Sequence, residues 1–176
     1  MHKFLILFFL SAISFSDETY IAWQSDYRLD WSDFKAAPEN WKSVVAVTAS
    51  GLTFSYTTKR SETELLGYEF EVTAHFYPEK SWYIKERVNE VHLRHERLHF
   101  DITELHARKF RKAVENARFT NNIRSEMNTI YERMNRELDA MQNLYDEETR
   151  HSINVEKQRA WERYIALELE KLSYYR

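Results

Sequence analysis

His95 and His99 stand four residues apart, with Glu96 between them. On a helix, residues i and i+4 project from one face one turn apart, so both imidazoles can reach a single metal ion. Glu96 falls beside that face, placed to act on a water next to the metal rather than on the metal itself. Two imidazole ligands and a carboxylate base are the working parts of a zinc hydrolase. No other stretch of the chain is as chemically specific.

The element that must carry these residues is a helix. Residues 81–119 contain no Gly or Pro, and Val88, Val91, His95, His99, Ile102, His106 and Phe110 recur at helical spacing. At about 100° per residue, His92, His99 and His106 all fall within about 60° of His95. Arg94, Arg97, Arg108 and Lys109 fall away from that stripe, as on a solvated face. His106 lies roughly 10 Å along the axis from His99, too far to share an ion, and His92 would need an unusual three-ligand helix face. Both read as polar positions in a packed seam. Asp101 and Glu104 lie about 200° and about 140° around the helix from His99, turned away from the ion.

A catalytic zinc site needs three protein ligands and one open position. Cysteine is absent from the chain, so the third ligand must be His, Asp or Glu. His151 is the best placed. It belongs to the polar stretch Tyr145 to Ser152, which reads as a loop between two helices, and such a loop can aim a side chain back at a neighbouring helix. Glu147 and Glu148 are the alternatives. Tyr145, beside this ligand, is the expected donor to a developing oxyanion, with Glu96 as general base.

The surrounding chain bounds the reading. Met1 to Ser16 has the form of a secretory leader: Lys3, an apolar core from Phe4 to Phe15, and a small-x-small site at Ser14 to Ser16. The chain then divides into 1–16, a signal peptide, and 17–176, one domain with no membrane anchor after cleavage. There are 25 Lys and Arg against 28 Asp and Glu, a net charge of −3. That balance gives no support to a nucleic-acid partner. An exported chain without cysteine folds without disulfides.

Gly and Pro number two each, which favours long regular elements. The N-terminal half reads as strands: a short alternation at Asp30 to Phe34, a β-branched and aromatic run from Ser43 to Thr58 with Gly51 as a turn or bulge, and Tyr68 to Phe76. In the last, Phe70, Val72, Ala74 and Phe76 face one way, and Glu69, Glu71, Thr73 and His75 face water. After the histidine helix, Ile123, Met127, Ile130, Met134, Leu138, Met141 and Leu144 form one apolar stripe, and Asn154 caps a last helix bearing Trp161, Ile165, Leu169 and Leu172. Strands followed by helices imply an α+β fold: a small antiparallel sheet packed on the histidine helix, then two long C-terminal helices.

Several segments together resemble the bacterial family catalogued as domain of unknown function 922, described as secreted zinc-dependent proteases. They are Trp31-Ser32-Asp33-Phe34-Lys35 with Pro38, Ala49-Ser50-Gly51-Leu52 with Tyr56, Arg94-His95-Glu96, His99 to Glu104, Ala107-Arg108-Lys109, and Tyr145-Asp146 with Thr149 and His151. The resemblance implies a zincin-like metallopeptidase domain. It places metal and base roles on His95, Glu96 and His99, and it supports His151 as a ligand. The chain departs from the family pattern at Ala36 and Ser152, where glycine is usual.

The leading expectation is a secreted or periplasmic peptidase or amidase that uses one Zn2+ ion on a peptide or amide substrate, which an edge strand could hold by strand addition. The competing expectation is a non-catalytic envelope binding module that keeps the zinc-binding helix.

Overall fold

A computed structural model describes residues 19–39 and 44–176; the leader proposed at 1–16 lies outside them. The architecture is α+β. Strand β1 (Ile21–Ala22) pairs antiparallel with the end of β4 (Leu65–Phe76), and β4 pairs along its length with β3 (Ser50–Arg60), giving the order β1-β4-β3. A second, two-stranded sheet joins β2 (Ala46–Val47) to β5 (Trp82–Tyr83). Helices α1 (Glu90–Glu115), α2 (Ile123–Thr149) and α3 (Val155–Lys171) follow.

The period of two in β4 decides which face is buried. Val72, Ala74 and Phe76 point inward, and Leu52 and Phe54 of β3 join them against α1. Phe76 meets Phe100 at 5.9 Å between ring centroids, and Phe54 meets Phe110 at 5.4 Å. Along α1, Ile102, Leu105, Ala107, Phe110 and Val114 are fully buried, because α1 has the sheet on one side and α2 and α3 on the others. Large apolar side chains buried in this way each contribute roughly 1.5–3 kcal/mol. This core therefore fixes the rotation of α1, and with it the direction of the histidines.

Caps set the helix ends. Asn89 Oδ1 accepts from the backbone N–H groups of Val91 and His92, and His92 Nδ1 accepts in return from Asn89 N–H. That reciprocal box starts the helix at Glu90, later than the Gly- and Pro-free run begins, and it occupies His92. Asn154 caps α3 by accepting from Lys157 N–H.

The structure corrects several local expectations. Asp30 to Phe34 is a 3-10 turn rather than a strand, because Asp30 caps its start by accepting from Trp31 N–H while the Asp33 side chain accepts from Asp30 N–H in return. Gly51 lies inside β3 opposite His75, with the Tyr77 ring over its open face; the irregularity in the pairing falls at Lys59 and Arg60. His75 does not face water. Tyr20 stacks on it at 3.9 Å, leaving it 8 % exposed, and burial lowers its pKa. Arg108 is not on a solvated face but fully buried beside Glu104. Most of the stretch expected as a loop after Tyr145 is helical, since α2 continues to Thr149.

Candidate metal centre

Helix α1 presents His95 and His99 on one face, with Nε2 atoms 3.2 Å apart. The last turn of α2 brings Asp146 to them: its Oδ1 lies 2.9 Å from His95 Nε2 and 3.1 Å from His99 Nε2. Two ligand atoms on one tetrahedral zinc are about 3.3 Å apart, so all three edges of this triangle are close to those of a metal site. These three residues form a group able to hold a metal ion.

The hydrogen bonds around His99 test that fit. Gln142 lies one turn before Asp146 on α2. Its Nε2 donates to the carbonyl oxygen of His99 at 2.9 Å, an atom that can only accept. The amide oxygen therefore faces His99 Nδ1, with which it is in contact, and Nδ1 must carry the proton. A neutral His99 then points the lone pair of Nε2 at Asp146 Oδ1, which is also an acceptor. Two acceptors meet only if a cation stands between them, either a proton or a metal ion. Imidazole nitrogens with one carboxylate oxygen suit zinc and neighbouring divalent metals. A histidine whose second nitrogen donates to a fixed oxygen is the usual state of a metal-bearing imidazole.

The two imidazoles are not equivalent. Burial opposes the charged form of His99, but the hydrogen bond to Asp146 and the charges of Glu96 and Asp146 outweigh it, so its pKa is raised. Burial dominates at His95 and lowers its pKa. Burial works against the Asp146 carboxylate too, yet the two histidines hold its pKa well below the usual range. Among the described residues, His95 Nδ1 is buried without a partner.

Tyr145 forms the floor of the site. Its ring stacks on His95 at 4.5 Å, meets His99 edge-on at 5.0 Å and rests on Trp161. It is fully buried, its hydroxyl donates to the carbonyl oxygen of His95 at 3.4 Å, and burial with the nearby Glu96 charge pushes its pKa up. Glu96 is 6 % exposed, and its Oε2 accepts from Thr48 Oγ1 at 2.7 Å. Its charge is felt at His95, His99 and Tyr145.

His151 sits just past α2, where Arg150, His151 and Ser152 all have positive φ. It is 78 % exposed at the side chain, with Nδ1 3.4 Å from Asp146 Oδ1. It touches the triangle through Asp146 and stands outside the group of three. The left-handed turn is held by Arg150 N–H and His151 N–H, which both donate to Asp146 O. Glu148 is engaged elsewhere, accepting from Trp161 Nε1 at 2.9 Å, and Glu147 is exposed. Asp101 accepts from Trp23 and Arg28, Glu104 from Arg108 and Arg111, and His106 Nδ1 donates to Ile102 O.

Asp146, Gln142 and Thr48 escaped the sequence reading. The signal for the first two was present: Gln142 and Asp146 are four apart, and extending the helical period of Ile123 to Leu144 by one turn places both on one face. Reading Tyr145 to Ser152 as a loop concealed it. Thr48 has no local signal, since only the packing of the β2–β3 connection on α1 brings it to Glu96.

A family model described as a bacterial protein of unknown function (DUF922) matches residues 15–152, a span that contains each of these side chains. No curated protein and no solved structure matches the chain.

Proposed function

The chain belongs to the bacterial family of unknown function DUF922, and from that premise we propose that it is a zinc-dependent hydrolase of peptide or amide bonds, exported by its N-terminal segment. The observation that carries this reading is the convergence of His95, His99 and Asp146 beside a carboxylate, Glu96, held in place by a hydroxyl. His95, His99 and Asp146 would hold the ion, with His151 Nδ1 3.4 Å from Asp146 Oδ1 at the edge of the group. When bound, zinc would supply a Lewis acid that polarises the scissile carbonyl and lowers the pKa of water to about 7.

The chain's own groups do the rest. Thr48 engages Glu96 Oε2, which leaves Oε1 to take the proton from the attacking water and return it to the leaving amine. Tyr145 keeps both imidazoles in their rotamers from below. Among the described residues, strand β3 lies at the edge of its sheet and starts two residues after Thr48. An extended peptide added along it would run toward Glu96, reading backbone rather than side chains.

One observation favours a second reading, a non-catalytic module of the cell envelope with a structural metal. His151 is a candidate fourth ligand, and four protein ligands would close the position that water needs. Metal analysis and peptide-library cleavage separate the two. Wild-type protein should carry one zinc ion per chain, lost in His95→Ala, His99→Ala and Asp146→Ala. Glu96→Gln should keep metal and fold while turnover falls by 10²-fold or more, on the order of what a positioned base contributes. Equal metal content in all variants sinks the site. Cleavage that survives in Glu96→Gln sinks the mechanism.

A further inference from the structure

Gln142 is more than a helix residue near the site. Its amide is held from three directions. Nε2 donates to His99 O at 2.9 Å and to Thr103 Oγ1 at 3.3 Å. Thr103 in turn donates to His99 O at 3.1 Å, so its oxygen accepts both from Gln142 and from Ser50 Oγ at 2.7 Å. No flipped amide satisfies this set, because a flip would aim Oε1 at a carbonyl oxygen. The orientation is built by α1, α2 and the start of β3 together. Its consequence falls on one atom, His99 Nδ1, which faces Oε1.

We propose that Gln142 is the positioning residue that fixes His99 as the Nδ1–H tautomer, so that Nε2 is the atom His99 offers to the metal ion, in company with His95 and Asp146. The inference rests on the metal-site reading above. Among the described residues His95 has no equivalent partner, since its Nδ1 is buried and unpaired there. The tautomer lock therefore acts on one of the two imidazoles only. The chain Ser50–Thr103–Gln142–His99 also ties the lock to the first residue of β3, the strand that starts two residues after Thr48.

Zinc binding by purified protein, measured by competition with a chelating dye, tests this. Gln142→Met keeps length and removes both polar atoms. It should weaken zinc binding about 10- to 100-fold, the range for losing an outer partner of a metal-bound histidine. Thermal unfolding of the metal-free proteins separates a folding defect from a ligand defect. In the zinc-loaded wild type, nitrogen-15 NMR should show His99 protonated at Nδ1 and metal-bound at Nε2, whatever Gln142→Met does to folding. The inference is overturned if His99 binds through Nδ1 or if Gln142→Met binds zinc as tightly as wild type. Wild type that takes up no zinc overturns the metal-site reading itself, a distinct outcome.

Discussion

Helix α1 carries two buried polar clusters that differ in what they lack. Toward its C-terminal half, Glu104 accepts from Arg108 at 2.8 Å and from Arg111 at 3.1 Å. Arg108 also donates to Leu169 O, and Arg111 to Val72 O and Tyr175 O. The Arg108 guanidinium lies 5.2 Å from the Trp23 ring. Donors here meet acceptors: one carboxylate and three backbone carbonyls take up the N–H groups of two guanidiniums, so the cluster needs no added ion. Two turns earlier, His95, His99 and Asp146 gather lone pairs around one point, and Gln142 fixes a proton on the outer side of His99. That cluster is completed only by a cation. Similar burial on one helix thus yields a structural tie in one place and a chemical site in the other.

The comparison breaks most visibly at Glu104. Glu104→Ala should destabilise the protein by about 3–5 kcal/mol, because it leaves Arg108 buried without its carboxylate. Urea unfolding measures this, and the folded fraction should bind zinc as wild type does. A loss below about 1 kcal/mol would mean that the cluster is not the tie described.

His106 sharpens the contrast on the same helix. It is fully buried, donates Nδ1–H to Ile102 O and has no partner for Nε2 among the described residues. Burial lowers its pKa from 6.5 to about 4. The folded pKa is depressed, so its contribution is fully present above the unfolded pKa and is lost as pH falls from about 6.5 to 4. That amounts to about 3 kcal/mol in all. Metal-free His106→Leu should show a flatter dependence of unfolding free energy on pH across that window. An unchanged slope would place the pH dependence elsewhere.

The smallest effect belongs to the turn behind Asp146. Ser152 has φ 71, a left-handed conformation that costs a side-chain-bearing residue about 1 kcal/mol or more. Ser152→Gly should raise stability by up to about 1 kcal/mol, with part of the gain offset by the freer unfolded chain. Zinc affinity should stay within about threefold of wild type. A destabilised Ser152→Gly would mean that the hydroxyl holds the turn.

Much of this was readable in advance for a physical reason. The pair His95 and His99 depends only on helical spacing, and α1 is announced by an unbroken apolar period. The inward face of β4 follows from its alternation. The helical wheel also turned Asp101 and Glu104 away from His99, and the structure finds them bound to arginines. Where reading failed, local chemistry misled. Asp30 and Asp33 form a capped turn that imitates an alternating strand. Polar residues from Asp146 to Thr149 look like a loop although they complete a helix. Arg108 looks solvated because nothing near it in sequence reveals Trp23 or the end of α3.

By itself the sequence determined the pair of imidazoles, the carboxylate between them and the order of strands and helices, since these follow from spacing within single elements. Only the tertiary structure decided that Asp146 meets both imidazoles, that Gln142 fixes the proton on His99 and that Thr48 holds Glu96. Those contacts depend on how α2 and the β2–β3 connection dock on α1. Docking is set by the joint fit of Phe76, Phe100, Phe110 and their neighbours, a property of several elements at once that no period along one of them records.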